Sequence, residues 1–376
     1  MKATLSTAAL LAELQTASRV ASSRSAVQAL SGVQLEVADG ALELRATDME
    51  VGLRLRIAVR DSVPGLAVLP ARLLLDVVRS LPGADVSLEL RSADQDVELI
   101  SGTAVFNLRT LRSEDFPPLP TPPGTDGVVL DAASFVETVA RVARSASRDD
   151  TRPVLTGILV SASDSSLRMV ATDSYRLSVK TTQLERPVTT PFEANVPARA
   201  LQELARIAQQ SSAEEIVVAR LENQIVFTLA GGDGNSGGAM LSSRLIDGQF
   251  PNFQQLLPES SDYELSVARE EIVDVARRIS LLAQKNAPLR LGFSEGELRV
   301  SAQTPDVGEA HETLPIAFDG EPFEIGFNPE FLRDGLESVE SAEIVFKLTS
   351  PLRPGLIESA DGSGFVYLVM PIRLGA

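Results

Sequence analysis

The sequence predicts an α+β protein built from three copies of one domain, each with two helices packed on antiparallel strands. The first observation is a repeated motif: Leu42–Asp48 (LELRATD) returns as Leu167–Asp173 (LRMVATD), and a weaker copy follows at Leu298–Thr304. The second is that helix-type and strand-type apolar patterns follow one another in the same order in each third of the chain. A chain of 376 residues has room for two or three domains of ordinary size.

Further matching elements support the threefold repeat. After each copy of the motif comes a segment that opens an amphipathic stretch, and these segments are Leu69–Arg72, Val196–Arg199 and Asn328–Phe331. Asp115–Pro118 also resembles Gln249–Asn252. Because the copies agree in the order of their elements, a repeat explains them better than chance. The predicted domains are residues 1–120, 128–257 and 262–376.

Each repeat opens with a predicted helix. Apolar residues recur at helical spacing, and Thr7 and Asp131 stand where an N-cap is expected before the first two of these helices. The apolar positions are Leu10, Leu11, Leu14 and Ala17, then Phe135, Val136, Val139 and Val142, then Ile272, Val275, Ala276 and Ile279.

Short strands and a second helix follow in each repeat. The strands are predicted from alternating runs bounded by turn residues, among them Gln34–Val37, Val51–Ile57, Val86–Leu90, Ile216–Ala219 and Gln224–Leu229. The second helices are predicted over Leu73–Leu81, Leu201–Ala208 and Leu332–Val339. Two helices on a sheet of many short antiparallel strands form an α+β layer arrangement.

The composition excludes several classes of protein. There are no cysteines, which excludes disulfides and thiol catalysis and removes the commonest structural zinc ligands. His311 is the only histidine, and its polar surroundings indicate a solvated side chain rather than a catalytic base or metal ligand. No apolar run approaches the roughly 20 residues that a membrane-spanning helix needs, and the N-terminus lacks the pattern of an export signal. We therefore expect a cytoplasmic protein with no metal and no cofactor.

The basic residues are concentrated on the predicted helices, although the net charge of the chain is −17. They are Arg19, Arg24, Arg72, Arg79, Arg141, Arg144, Arg148, Arg152, Arg199, Arg206, Arg277, Arg278 and Lys285. A cation near a helix C-terminus also complements the helix dipole, so one arginine alone is uninformative. Recurrence in three repeats favours a shared basic surface. A ring lined by such helices could surround duplex DNA and contact its phosphates without reading its sequence.

Two motifs together with the repeat carry a family resemblance. The motifs are Ala171–Leu177 (ATDSYRL) and Met370–Leu374 (MPIRL). With three repeats of this size, the chain resembles bacterial replicative sliding clamps, the β subunits of DNA polymerase III, over essentially its whole length. The resemblance implies three clamp domains that assemble as a ring-shaped head-to-tail homodimer around duplex DNA. It also implies a non-catalytic processivity subunit that tethers the polymerase α subunit and binds the clamp loader, other polymerases and repair proteins through short linear motifs.

The resemblance also implies three sets of functional residues. The DNA contacts would be Arg24, Arg72, Arg148, Arg152 and Arg199. The dimer interface would include Phe106 and Leu108 of the first repeat and Leu281 of the third. A hydrophobic pocket for partner peptides would be lined by Leu155, Thr172, Ser174, Tyr175, Arg176, Leu177, Pro251, Gln255, Leu256, Asn328, Pro354, Leu368, Val369, Met370, Pro371, Ile372, Arg373 and Leu374. Its apolar side chains would accept apolar anchors, while Arg176 and Thr172 would fix polar groups.

Three positions of the implied pocket depart from the family pattern. Ser174 and Tyr175 stand where some members have Gly and His, and Gln255 replaces a basic residue. These departures concern the preference for partner motifs rather than the existence of the pocket.

Two other functions remain open on the sequence alone. A metal-dependent enzyme could use Asp149, Asp150 and Asp173 as ligands. However, Asp149 and Asp150 follow a basic helix end, as a solvated turn would, and Asp173 has a counterpart, Asp48, in the first repeat. The second alternative is a peptide-binding scaffold of the same family that does not load onto DNA.

Overall fold

The helices and strands repeat in one order along the chain: strand, helix, four strands, helix, three strands. The structure, a computed structural model, describes residues 1–22, 25–121, 127–188, 190–211, 213–229, 238–283 and 287–374. In the first third the elements are β1 (Lys2–Ser6), α1 (Thr7–Val20), β2 (Gly32–Ala38), β3 (Ala41–Thr47), β4 (Val51–Ala58), β5 (Asp61–Val63), β6 (Gly65–Pro70), α2 (Ala71–Ser80), β7 (Asp85–Arg91), β8 (Asp96–Ser101) and β9 (Ala104–Arg109).

The same order returns in the rest of the chain. The second third contains β10 (Val128–Asp131), α3 (Ala132–Val142), β11 (Gly157–Ser163), β12 (Ser166–Thr172), β13 (Arg176–Gln183), β14 (Phe192–Pro197), α4 (Ala198–Gln210), β15 (Glu215–Arg220), β16 (Gln224–Leu229) and β17 (Ala239–Arg244). The last third contains β18 (Tyr263–Ala268), α5 (Arg269–Ser280), β19 (Leu289–Ser294), β20 (Glu297–Thr304), β21 (Gly308–Pro315), β22 (Phe323–Phe327), α6 (Pro329–Ser338), β23 (Glu343–Leu348), β24 (Gly355–Ser359), β25 (Phe365–Val369) and β26 (Pro371–Ile372). Apart from the added β5 and β26, the three thirds match, which confirms the predicted α+β repeat.

The chain forms two compact units, and the first contains Met1–Val136 and Arg199–Leu245. One sheet of this unit has the strand order β5-β1-β7-β8-β9, and the other has the order β10-β15-β16-β17-β4-β3-β2-β6. The second sheet joins strands of two repeats, because β17 pairs with β4 and places Leu241 opposite Leu53. Both leucines are fully buried.

The second unit contains Glu137–Ala198 and Ile246–Ala376. Its sheets have the strand orders β14-β11-β12-β13-β25-β24-β23-β18 and β21-β20-β19-β22-β26. Strand β13 of the middle repeat pairs with β25 of the last, with Leu177 opposite Leu368. The two units do not correspond one to one with the three predicted domains, whose boundaries stay a prediction.

Polar side chains at or next to the predicted positions cap the N-termini of α1 and α3. Asp131 accepts a hydrogen bond from the backbone N of Ser134 at 2.7 Å, which confirms it as the cap of α3. The prediction for α1 was wrong by one residue, because Ser6 accepts from the backbone N of Ala9 at 3.4 Å and Thr7 is already helical. Leu10, Leu14 and Ala17 of α1 are buried in the first unit, and Ile272, Val275, Ala276 and Ile279 of α5 are buried in the core of the second.

Helix α6 lies close to β25 because Gly335 has no side chain. A Cβ at this position would lie 2.5 Å from Cδ1 of the fully buried Tyr367 ring. The Tyr367 hydroxyl donates to the carbonyl oxygen of Phe331 at 2.8 Å, and burial raises the pKa of this phenol, so it stays protonated. The start of α6 is therefore fixed beside the strand that leads into Met370–Leu374. Among the described helices, none is long and apolar enough to cross a membrane.

Candidate functional site

The ATDSYRL motif forms a tight turn between β12 and β13. The Asp173 carboxylate accepts hydrogen bonds from the backbone N atoms of Tyr175 at 2.9 Å and Arg176 at 3.1 Å. The Thr172 hydroxyl donates to the Arg176 carbonyl oxygen at 2.7 Å and accepts from the backbone N of Ser174 at 3.2 Å. These bonds hold Ser174 in the left-handed conformation, with φ of 81°.

The first repeat contains the same turn. Asp48 accepts from the backbone N atoms of Glu50 at 3.0 Å and Val51 at 2.8 Å. Thr47 donates to the Val51 carbonyl oxygen at 2.8 Å, and Met49 has φ of 79°. Asp173 is therefore a turn-forming residue, as its counterpart in the first repeat predicted.

Asp149 also belongs to a turn. Its carboxylate accepts from the backbone N of Thr151 at 3.0 Å and the Thr151 hydroxyl at 2.6 Å, and it pairs with Arg152 at 3.3 Å. The hydrogen bonds to Thr151 and the pairing with Arg152 keep the pKa of this carboxyl below its ordinary value. Two of the three carboxylates considered for metal chemistry, Asp149 and Asp173, thus have local structural partners.

The strand pairing brings the central pocket candidates together. In the register of β13 and β25, Arg176 lies opposite Val369 and Leu177 opposite Leu368. The backbone N of Met370 donates to the Tyr175 carbonyl oxygen at 2.9 Å. Below this strand end lies a buried apolar cluster that contains Leu159, Val170, Leu177, Val179, Phe250, Phe253, Leu356 and Leu368. Thr172, next to the cluster at the end of β12, pairs with Leu177.

Other pocket candidates border this strand end. Pro251, Gln255 and Leu256 are exposed neighbours of the buried Phe250 and Phe253. Leu155 is buried, and its neighbour Val154 packs against the cluster. Pro354, half-buried, directly precedes β24.

The residues that follow β25 lie against the end of β22, just before α6. Pro371 and Ile372 lie opposite Phe327 and Gly326. Leu374 covers Gly326, where a Cβ would lie 2.6 Å from the leucine Cδ2 atom. Asn328 caps α6, because its side-chain oxygen accepts from the backbone N atoms of Glu330 and Phe331, the second and third residues of the helix. Arg373 is exposed.

Large apolar side chains are exposed around this strand end. Tyr175 is 60% exposed, Leu256 48% and Met370 40%. Exposed apolar groups beside a buried cluster mark a surface that can bury a partner. We call the residues Tyr175, Arg176, Leu177, Leu256 and Leu368–Met370 the strand-end surface.

Phe331 belongs beside this surface but was missed from the sequence. Its ring centroid lies 6.4 Å from that of Tyr175, with the planes 26° apart. The guanidinium carbon of Arg176 lies 4.4 Å from the centre of the same ring. The sequence marked Phe331 only as part of a helix-opening segment, and no local pattern indicates which side chain such a residue meets.

The predicted DNA contacts differ in their surroundings. Arg24 lies outside the described residues. Arg72 in the first unit and Arg148 in the second are exposed, and neither pairs with a side chain in the part of the chain that the structure describes. Arg152 donates to the Ser174 hydroxyl at 2.9 Å, and Arg199 pairs with Asp48 at 2.8 Å.

Many of the other recurrent arginines are ion-paired within their own unit. Arg141 is buried and pairs with Glu137 and Glu340, so it does not belong to a basic surface as the sequence suggested. The remaining pairs are Arg19 with Glu203, Arg79 with Asp76, Arg206 with Glu203, Arg144 with Asp334 and Glu337, Arg277 with Asp274 and Glu337, and Arg278 with Glu312. Lys285 lies outside the described residues.

The predicted interface residues lie on two elements. Phe106 and Leu108 are on β9, an edge strand of its sheet, and Leu108 is only 6% exposed because it packs inward opposite Val97. Leu281 follows α5 and is 77% exposed. Strand β21, which carries the exposed His311, is an edge strand of the second unit.

Repeated α+β domains with an exposed apolar strand end beside a buried apolar cluster define a protein that binds partners. Family models of the DNA polymerase III beta subunit match the chain in three parts: the N-terminal domain at residues 1–120, the central domain at 129–252 and the C-terminal domain at 254–373. The chain is 33% identical over 369 residues to the beta sliding clamp of Synechococcus elongatus, covering 96% of each chain. It is 31% identical over 376 residues to that of Pseudomonas aeruginosa, covering 100% of each.

Solved structures agree with this similarity. The DNA polymerase sliding clamp of Bacillus subtilis has a TM-score of 0.93 at 27% identity, and the DNA polymerase III subunit beta of P. aeruginosa has 0.90 at 29%, each covering 100% of both chains. The chain belongs to the beta sliding clamp family, the beta subunits of DNA polymerase III. It is a sliding clamp, a non-catalytic processivity factor of DNA replication that works with DNA and a polymerase.

Proposed function

We propose that two copies of this chain close head to tail into a ring around duplex DNA, and that the strand-end surface tethers the polymerase α subunit. The same surface would serve the clamp loader, other polymerases and repair proteins, which would bind in turn through short linear motifs. A replication factor of this kind acts where the bacterial chromosome lies, in the cytoplasm. The observation that carries the proposal is the exposure of Tyr175, Leu256 and Met370 beside the buried Leu177 and Leu368.

Free sheet edges support the homodimer. Strands β9 and β21 each have one unpaired side within the described chain. An edge strand presents a row of backbone donors and acceptors to another chain. Head-to-tail contacts form a closed ring only if the rotation from each copy to the next returns to the first copy. Two copies with three domains each would complete a six-domain ring. Phe106 and the exposed Leu281 would lie near the contact.

The arginines support DNA contact that does not depend on sequence. Arg72 and Arg148 have no side-chain partner among the described residues, so they could contact phosphates, and such contacts carry no base information. Arg152 and Arg199 would first have to leave Ser174 and Asp48. DNA binding by the unloaded protein is therefore expected to be weak and to fall steeply with salt. The loaded ring would stay on DNA because it encircles the duplex, and not because it binds the DNA tightly.

The proposed peptide site is tested by titrating a labelled peptide with a glutamine followed by a short apolar-aromatic run. Burial of two or three apolar side chains at about 1.5–3 kcal/mol each, less the cost of ordering the peptide, gives an affinity near the micromolar range. Removal of residues 370–376 should abolish binding while the protein remains folded, because β25 ends at Val369 and only the two-residue edge strand β26 is lost from a sheet. Equal affinity of the full and shortened chains would place the partner site elsewhere.

A scaffold that binds peptides without loading onto DNA is the second candidate. It is favoured by the ion pairs that neutralise Arg19, Arg144 and Arg277. Retention on closed circular DNA, lost when the circle is cut, separates the two functions, because only an encircling ring shows it.

A further inference from the structure

Arg176 has its charge and its flat face occupied within the protein. Its Nε atom donates to Asp173 at 3.0 Å, and one terminal nitrogen donates to Asp334 on α6. The guanidinium lies on the Phe331 ring, and the side chain is only 8% exposed. Thr172 is likewise engaged in its turn. The expectation that Arg176 and Thr172 fix polar groups of a partner therefore has to be revised.

Asp334 is held in place from its other side. Arg144 lies 3.4 Å from Asp334 and 3.0 Å from Glu337, and Arg277 lies 3.0 Å from Glu337. Arginines and carboxylates thus alternate in a row from Asp173 to Arg277. Because Asp334 follows Phe331 by three residues on α6, both side chains lie on the same side of the helix. Phe331 itself is fixed by Tyr367.

We propose that Asp334 is a specificity-determining residue of the strand-end surface, which keeps Arg176 neutralised and flat against Phe331. The surface then offers a peptide an apolar and aromatic wall formed by Tyr175 and Phe331, beside which the charge of Arg176 is already matched by Asp173 and Asp334. It selects peptides whose group at this place is uncharged and rejects those with a carboxylate. This inference rests on the proposed peptide-binding function.

The physical basis is the repulsion of like charges near a partly buried group. A peptide carboxylate beside Arg176 would also approach Asp173 and Asp334, and Arg176, already paired with both, would not offset the carboxylate's loss of water. Specificity commonly depends on such a repulsive element as much as on an attractive one. Removal of the Asp334 charge would leave Arg176 with one carboxylate partner, so an acidic group could then pair with it.

The test compares two peptides of the same length, which differ only in an Asn or an Asp next to the aromatic residue of the motif. Both are titrated by fluorescence anisotropy against the full-length protein and against Asp334→Asn. We expect the wild type to prefer the Asn peptide by about tenfold, and Asp334→Asn to lose most of this preference by binding the Asp peptide more tightly. Asp334→Glu should restore the preference in part.

Two control variants separate specificity from a loss of structure. Glu330→Gln removes one charge from the same helix at an exposed residue without an ion pair among the described residues. Arg144→Gln breaks the ion-pair row but leaves Asp334 with Arg176. Both should keep the wild-type preference. A loss of preference in Arg144→Gln equal to that in Asp334→Asn would overturn the proposal. It would show that disrupting the ion-pair row, and not removing the Asp334 charge, abolishes the preference.

The outcomes also distinguish this inference from the proposed function. If neither peptide binds the wild type, both the proposed peptide-binding function and the selectivity proposal fail. If the wild type binds both peptides equally, the selectivity proposal fails and the peptide site stands. This comparison needs no variant, so it decides the question even if Asp334→Asn does not fold. An unchanged preference in a folded Asp334→Asn also refutes the role of Asp334.

Discussion

Met49 and Ser174 adopt the same left-handed backbone conformation in two different repeats. This conformation costs a residue with a side chain about 1–2 kcal/mol. The Thr and Asp side chains that bracket each turn supply the hydrogen bonds that hold it. Ser174 in addition accepts a hydrogen bond from Arg152, whereas Met49 is exposed. The two positions therefore offer a matched pair in which backbone strain is separable from side-chain contacts.

Met49→Gly should stabilise the protein. Glycine removes the strain of the left-handed conformation, while the greater freedom of the unfolded chain offsets part of the gain, which leaves about 0.5–1 kcal/mol. Chemical unfolding of both proteins measures the difference. Ser174→Gly is the control and should gain less, because it also loses the bond to Arg152. A less stable Met49→Gly would show that the methionine side chain makes a contribution larger than the strain.

At this level the sequence predicted which residues recur but not what each side chain meets. The Asp48 and Asp173 turns were predicted from the repeat alone, since short polar side chains bond to the nearby backbone. The partners of Arg176 could not be predicted. Asp334 lies far along the chain from Arg176, and the local spacing of residue types does not indicate a contact between residues so distant in sequence.

The helices of the second unit are connected by ion pairs between side chains. Glu337 of α6 pairs with Arg144, just after α3, and with Arg277 of α5. Burial alone would raise the pKa of Glu337, but the hydrogen bonds from the two arginines outweigh it and hold the pKa below its ordinary value. A carboxyl with a lowered pKa contributes stability above its unfolded-state pKa and loses it as the pH falls through the folded-state pKa.

Glu337→Gln should therefore lower the free energy of unfolding at neutral pH by about 1 kcal/mol. The difference from the wild type should shrink below pH of about 4.3, where the unfolded glutamate becomes protonated, and vanish at lower pH. Urea unfolding across pH 3–7 gives the measurement. A difference that stays constant over this range would mean that packing, and not charge, explains the loss.

Local patterns predicted the helices and strands well but not how distant strands pair. The predicted helices Leu73–Leu81 and Leu332–Val339 each end one residue beyond the C-terminal end of the observed helix, α2 or α6. The pairing of β4 with β17 has no local signal, because both strands would also fit other neighbours. The burial of Leu108 in its own sheet likewise depends on which strands surround β9.

The assembly depends on surfaces that are exposed in the single chain. Leu281 is the predicted interface residue that best tests the dimer, since Leu108 is already buried and an arginine there would disrupt the protomer itself. Leu281→Arg should leave the monomer folded and weaken the dimer by at least about tenfold, because the interface would bury an unpaired charge.

Sedimentation velocity at low micromolar concentration measures this effect. The control is Leu352→Arg, a substitution at a similarly exposed leucine outside the predicted interface, which should sediment as the wild type does. If Leu281→Arg remains a dimer at the same concentration, the assignment of Leu281 to the interface is wrong.

The pairing of β4 with β17 has a consequence for synthesis on the ribosome. Val51 of β4 pairs with Ser243 of β17, so β4 cannot complete its sheet until the intervening stretch has been translated. At about 5–20 residues per second, the nascent chain carries an open β4 edge for roughly 10–40 s. An open edge is a template for pairing with other chains. On polysomes, where nascent chains lie close together, chaperones would have to keep this open edge from pairing with a neighbouring chain. A protein whose three domains each completed their own sheets would not expose such an edge.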